Sequence, residues 1–349
     1  MKNLGEPKKY KFLFYVEQNY SFDILRPLQK TALFEGHSVY WLLVGNDISR
    51  DFLLEGELSF ATIDEAIKYT PDAVFAPGDR VPSFIPGLKV QVFHGLNESK
   101  RGNIYPERGL FDLYCTEGHE RTNTLQKISN KKGYFEVAET GWIKLDSLFN
   151  YQSNNKEKNS EKPLILFAST FSPSLSCAES AFDEIARLSQ LDKWQWLVTL
   201  HPKMNVSTVN KYKQLENNNL TFMDNDKVLE CLHRADVMVC DNSSIFQEFL
   251  LLNKPVVTIN NREPLSCFIN IEDPAKLESA ILDALNASPA LLQSVKEYGP
   301  SVTPYLDGHS SLRVLKAVKR LLQNNWVDKK PVNLLRNFKM RKNLKYWKF

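Results

Sequence analysis

Three polar clusters in this chain carry groups able to handle protons and phosphates: His94-Gly95, His201-Pro202 and Asp241-Asn242-Ser243-Ser244. A histidine that titrates near neutrality can take a proton from a hydroxyl. Serine hydroxyls beside a helix start can hold an anion, including the charge that develops on a departing phosphate. The third cluster also has a purely structural reading, in which Ser244 is a helix N-cap and Gln247 its reciprocal partner in a capping box. A single strand-end histidine likewise serves structure alone in many proteins. The clusters share a position, because each lies just beyond an apolar run of strand length.

Those runs belong to an alternating pattern. Lys11 to Val16 reads as a strand, Phe22 to Glu35 as a helix with Pro27 near its start, and Ser38 to Val44 as a second strand, with Gly36-His37 closing the helix. A helix over 62–69 and strands over 73–76, 89–93 and 111–116 follow, then a helix from His119 to Ile128. The polar stretch from Tyr151 to Lys162 breaks the pattern. Beyond it come strands over 164–168, 196–200, 220–223 and 237–240, with helices over 178–189 and 226–234. Asp241–Ser244 turns into a helix containing Phe249 and Leu252, Pro255-Val256-Val257 opens another strand, and helices occupy 275–287 and 310–323. The expected division is an N-terminal Rossmann-like domain over 1–152, a linker over 153–163, a C-terminal domain over 164–325 and a basic aromatic tail over 326–349. An α/β fold of two doubly wound domains facing a cleft follows, with ligands at the carboxyl ends of the strands. No Gly-x-Gly-x-x-Gly is present, so the usual dinucleotide fingerprint is missing.

At 349 residues, 43% hydrophobic and 24% charged, the chain can build two ordinary cores. Its net charge of +3 is concentrated at the end, where Lys329, Lys330, Arg336, Lys339, Arg341, Lys342, Lys345 and Lys348 meet no acid. That distribution argues against a nucleic-acid partner. Leu334, Leu335, Phe338, Leu344, Tyr346, Trp347 and Phe349 are interleaved with those charges, as in a segment lying on an anionic membrane. A last helix packed back on the N-terminal domain is the alternative. The five cysteines are scattered, without metal or redox spacing, and read as reduced core residues. The first residues lack the apolar core of a signal peptide, and no run reaches the ~20 apolar residues of a membrane span. The expectation is a cytoplasmic protein, touching the inner face of the membrane at most.

The order of motifs resembles the CDP-glycerol glycerophosphotransferase family, which includes teichoic acid primases and polymerases. The motifs are His94-Gly95…Lys100, Ala168-Ser169-Thr170-Phe171, Leu200-His201-Pro202, Ala235-Asp236…Asp241-Asn242-Ser243-Ser244…Glu248-Phe249…Lys254-Pro255-Val256 and Asp307-Gly308…Arg313. The resemblance implies a GT-B fold and transfer of an alditol phosphate from a CDP-linked donor to a hydroxyl of a cell-surface glycan or lipid-linked precursor. It implies that His94 is the base for the acceptor hydroxyl, and that His201, Thr170, Asp241, Ser243 and Ser244 hold the donor phosphates. Glu248 corresponds to a residue that binds donor hydroxyls, and Gly95 and Lys100 fall on the acceptor side. The reading includes no metal and no cofactor.

Three departures stand out. Leu96-Asn97-Glu98-Ser99 separates Gly95 from Lys100, Ser172 replaces an arginine after Phe171, and Asn242 replaces a tyrosine. They keep two alternatives open, a GT-B glycosyltransferase using a nucleotide sugar and a catalytically silent GT-B binding protein. Glu248 as an exposed helix residue and Thr170 as a loop cap are the structural readings of those positions. Tyr20, Arg26 and Lys100-Arg101 are further candidates for the acceptor side.

Overall fold

The computed structural model describes residues 8–96, 107–152, 162–324 and 326–348. Lys100, Arg101 and most of the predicted linker lie outside them. The chain forms two compact units, one of Met1–Phe149 with Val302–Phe349 and one of Asn150–Ser301.

The first unit begins β1 (Lys11–Val16), α1 (Tyr20–Phe34), β2 (Ser38–Leu43), β3 (Ser59–Phe60), α2 (Ile63–Lys68), β4 (Ala73–Ala76) and β5 (Leu88–Val92). β6 (Leu113–Thr116), α3 (His119–Lys132), β7 (Glu136–Glu139) and α4 (Leu145–Phe149) follow. Its seven strands order as β3-β2-β1-β4-β5-β6-β7, with the reversal of direction between β1 and β4. The pairings are parallel, for example Phe12 with Val39 on one side and with Ala73 on the other. Both faces are covered, so Phe12, Leu13, Phe14, Tyr15 and Val16 are all buried and β1 reads as a continuous apolar run. α1 starts earlier than its apolar period implies, which places Pro27 inside the helix. It ends as predicted at Gly36, whose φ is +80°. The N–H of His37 bonds Ala32 O and that of Gly36 bonds Leu33 O, both at 2.9 Å, closing the last turn.

The second unit runs β8 (Leu164–Ser169), α5 (Phe182–Ser189), β9 (Gln195–Leu200), α6 (Val206–Lys213), β10 (Leu220–Phe222), α7 (Val228–Arg234) and β11 (Val237–Cys240). α8 (Ile245–Leu251), β12 (Val256–Ile259), β13 (Ile269–Ile271), α9 (Leu277–Leu285) and α10 (Pro289–Val302) complete it. Its six strands order as β10-β9-β8-β11-β12-β13, again parallel, with the reversal between β8 and β11. The cysteines are unpaired and buried, as expected.

One boundary differs from the sequence expectation. α11 (Ser310–Gln323), placed by sequence in the C-terminal domain, belongs to the first unit. Val314, Leu315, Val318 and Leu321 share a core with Phe12, Phe14, Leu25 and Leu28. The buried Asp146 accepts the N–H groups of Ser310 at 2.8 Å and Ser311 at 2.7 Å, capping the helix start from α4. An amphipathic period shows that a helix buries one face, but not which sheet receives it. Within the Asp307-Gly308…Arg313 motif, Arg313 forms an ion pair with Asp307 and lies 4.0 Å over the Tyr305 ring.

The tail is docked on the first unit, and it still presents apolar surface. The buried Asp112 is paired with Lys330 and accepts from Trp326 Nε1 at 3.0 Å. α12 (Leu334–Asn343) follows, with Arg341 4.4 Å over the Phe84 ring and Tyr346 stacked on Phe84 at 5.1 Å. Leu334, Leu335, Phe338 and Trp347 remain exposed beside the basic residues. Among the described residues no helix is long and apolar enough to cross a membrane.

Candidate functional site

Each sheet presents its polar cluster at the carboxyl edge, close to its reversal point, where open α/β sheets take ligands. In the first unit this edge carries Glu17 and Tyr20 after β1, Pro77 to Arg80 after β4, and His94-Gly95 after β5. His94 Nδ1 lies 3.3 Å from Pro77 O. A carbonyl only accepts, so Nδ1 carries the proton and the lone pair sits on Nε2, the arrangement a general base requires. The Tyr20 ring packs 5.4 Å from the imidazole.

The loop is held from elements remote in sequence. Trp142 Nε1 donates to Phe93 O at 2.9 Å, and the Arg121 guanidinium lies 4.0 Å over the Phe93 ring. Arg121 is buried in an ion pair with Glu117 at 2.9 Å. Trp142 carries no local signal, since it reaches back across 49 positions. Arg26, a candidate for the acceptor side, instead pairs with Glu57 at 3.0 Å and braces α1.

In the second unit the loops after β8, β11 and β12 meet at Asp241, with Asn261 Nδ2 donating to Asp241 O at 3.1 Å. Asp241 is fully buried, and its carboxylate accepts from Ser169 Oγ and from the N–H groups of Thr170 at 3.2 Å, Cys177 at 3.0 Å and Ser243 at 2.9 Å. The expectation that Asp241 itself holds phosphate is corrected by this geometry. Its oxygens are occupied by donors from two loops, and a buried anion repels another. Asp241 is a positioning residue for the two loops that flank the reversal point. Burial, and then the charge of Asp241, drive the Cys177 thiol well above its ordinary range, so that thiol stays protonated.

The capping box does not form. Ser244 occupies the N-cap position of α8 in helical conformation, and its side chain makes no cap bond. The Ser243 N–H is taken by Asp241, which supplies the turn that a capping serine would otherwise make. Ser244 is exposed and Ser243 half-buried, and both residues lie just past the carboxyl end of β11. Glu248, one turn on, is buried, not exposed as in its surface reading.

His201 is the electronic mirror of His94. Its Nδ1 accepts the Lys203 N–H at 3.0 Å, which puts the ring proton on Nε2 and makes that atom a donor. Burial, and then the charge of Lys203, push its pKa below the ordinary 6.5, so the fold favours the neutral ring. The unfolded chain takes up this proton near pH 6.5 while the folded chain resists it, so acidification below that value costs stability. Phe171 packs on the imidazole at 4.5 Å. Thr170, just past β8, is fixed through its own N–H to Asp241. Among the described residues no three His, Cys, Asp or Glu side chains gather as a metal site.

Residues 111–261 match the family described as CDP-Glycerol:Poly(glycerophosphate) glycerophosphotransferase, in line with the resemblance carried by the motifs. The chain is similar to the teichoic acid glycerol-phosphate primase of Bacillus subtilis (strain 168), at 25% identity over 189 residues, covering 49% of this chain and 49% of the relative. It thus spans about half the length of the curated relative it matches. Among solved structures it is similar to the wall teichoic acid polymerase TagF, with a TM-score of 0.64 and 14% identity over 90% of this chain and 89% of that one. It is also similar to the UDP-GlcNAc 2-epimerase of Neisseria meningitidis bound to UDP-GlcNAc, with a TM-score of 0.56 and 12% identity over 90% and 100% of the two chains. At these identities the likeness is one of fold: two Rossmann-like parallel-sheet domains of GT-B type.

Proposed function

We propose that this chain is a phosphotransferase that moves glycerol phosphate, or a related alditol phosphate, from a CDP-linked donor to a hydroxyl of a cell-surface glycan or lipid-linked precursor. The observation that carries the reading is the family match over residues 111–261, which takes in Thr170, His201, Ser243, Ser244 and Glu248. The geometry of those residues supports it. A neutral histidine donating from Nε2 and serine and threonine hydroxyls at one sheet edge suit phosphate oxygens, and buried Glu248 suits a hydroxyl of the donor.

In this reaction the acceptor oxygen attacks the donor's β-phosphorus and its proton passes to His94 Nε2. The bond from that phosphorus to the bridging oxygen breaks, CMP departs with the electron pair, and a phosphodiester forms. His201, Thr170, Ser243 and Ser244 stabilise the charge that grows on the leaving phosphate.

The test is a thermal-shift comparison of CDP-glycerol, CDP-ribitol, CMP and UDP-sugars. A cytidine ligand at about 100 times its dissociation constant is expected to raise the unfolding midpoint by roughly 5–10 °C. A shift with UDP-sugars alone would move the assignment to glycosyl transfer, and no shift with any cytidine compound would remove the donor reading.

The tail belongs to the same proposal as a contact with anionic lipid at the inner face of the membrane. Its exposed Leu334, Leu335, Phe338 and Trp347 stand beside basic residues while Lys330 and Tyr346 anchor the segment. Deleting the segment would strip Asp112 of Lys330, so point variants are the cleaner probe. The full chain is expected to pellet with phosphatidylglycerol vesicles and not with phosphatidylcholine ones. Leu335→Glu with Phe338→Glu should lower the bound fraction about tenfold; equal pelleting of the variant and the parent would end the membrane assignment.

A further inference from the structure

We propose that Arg262 supplies the positive charge that holds the donor's diphosphate on the second unit, an inference that rests on the CDP-donor reading. Arg262 lies just past β12, and its N–H donates to Asn242 Oδ1 at 2.9 Å, which sets its backbone beside the Ser243-Ser244 turn. Asn242 is itself fixed, donating from Nδ2 to Leu175 O at 3.0 Å and to Asn260 O at 3.1 Å. The Arg262 guanidinium then crosses to the loop after β8, where Nη2 donates to Ser174 O at 3.0 Å.

Arg262 is therefore pinned at both ends, to the two loops that flank the reversal point between β8 and β11. A guanidinium has five N–H donors, and the bond to Ser174 uses one. The residue is exposed, and among the described residues it forms no ion pair with a carboxylate. A fixed, solvent-facing guanidinium of this kind is suited to a phosphate, which it can meet with two parallel hydrogen bonds. The other side of the β8 loop is also cationic, because the Lys203 ammonium lies 5.9 Å from the ring of Phe171, which packs on His201. On the β11 loop, Asp241 is buried and met by hydroxyl and amide donors. Glu263 follows Arg262 and is exposed, with its own N–H donated to Asn261 Oδ1.

Isothermal titration of the full chain with CDP, CMP and cytidine tests the assignment. Arg262→Gln is expected to weaken CDP about tenfold or more while leaving cytidine unchanged, since only the diphosphate meets the guanidinium. Arg262→Lys keeps the charge without the fork and should lose about threefold for CDP. It serves the same comparison if the glutamine variant does not fold. A role confined to clipping the β8 loop would weaken all three ligands alike. Equal CDP affinity in parent and variant, or equal losses for CDP and cytidine, overturns the role of Arg262 and leaves the donor reading in place. Absence of binding to all three ligands by the parent protein overturns the donor reading, and this inference with it.

Discussion

Replacing His94 with alanine is expected to lower turnover about 100- to 10,000-fold while the affinity for CDP-glycerol stays within about twofold. The measurement is CMP release in the presence of acceptor, set beside direct titration of the donor. The expectation follows from the proton inventory of the ring. Pro77 O fixes the proton on Nδ1, so the ring's lone pair sits on Nε2, the atom that takes a proton from an attacking hydroxyl. Alanine removes the acceptor of that proton and leaves the loops of the second unit, where the donor reading places CDP-glycerol, chemically untouched. A near-normal rate in His94→Ala would take His94 out of the mechanism. A loss of donor affinity equal to the loss of rate would instead place it in donor binding. His94→Gln sharpens the comparison, because its amide can donate to Pro77 O yet cannot accept a proton at neutral pH.

The second large effect is expected at Asp241, where substitution should act on stability first and on ligand binding through it. Asp241→Ala leaves the N–H groups of Thr170, Cys177 and Ser243 and the hydroxyl of Ser169 without their shared acceptor in a buried place. Each unmet buried donor costs about 1–3 kcal/mol, and loops at the edge of a sheet recover part of that through water, so a total on the order of 3–5 kcal/mol is expected. Asp241→Asn does not rescue it, because each carboxylate oxygen receives N–H groups and the new NH2 must face donors on one side. Denaturant unfolding followed by intrinsic fluorescence measures the loss. Donor affinity should fall in parallel, since the Thr170 and Ser243 positions are set by this carboxylate. A variant as stable as the parent, with weakened donor binding alone, would return Asp241 to direct contact with the ligand.

These two residues differ in how far their chain neighbours reveal them. His94 follows Val90 and Val92 of β5, so the end of an apolar strand marks it as a sheet-edge group. His201 after β9 and Ser243-Ser244 after β11 are legible for the same reason. Asp241 looks alike by that criterion, and the sequence reading accordingly places it among the phosphate ligands. Its actual partners lie 64 to 72 positions away on the β8 loop, or two positions ahead at Ser243. Only the pairing of β8 with β11 brings them together. Arg121, Trp142 and Arg262 pass unremarked for the same reason, since each acts on a loop that belongs to another strand.

The three polar clusters are legible from local physics. Strand-length apolar runs, Gly36 at a left-handed helix end and the alternation of helix with strand are dictated by residues a few positions apart. They determined the α/β class, the strand-end location of His94, His201 and Ser243-Ser244, and the buried state of the cysteines. What only the tertiary structure decided depends on partners distant in sequence. It set the strand orders, the tautomers of the two histidines, the inward turn of Asp241 and the return of α11 to the first unit through Asp146 and the core around Phe12. A hydrophobic period states that a face must leave water, and a polar side chain states that it needs partners. Which face and which partners are chosen when the sheets close.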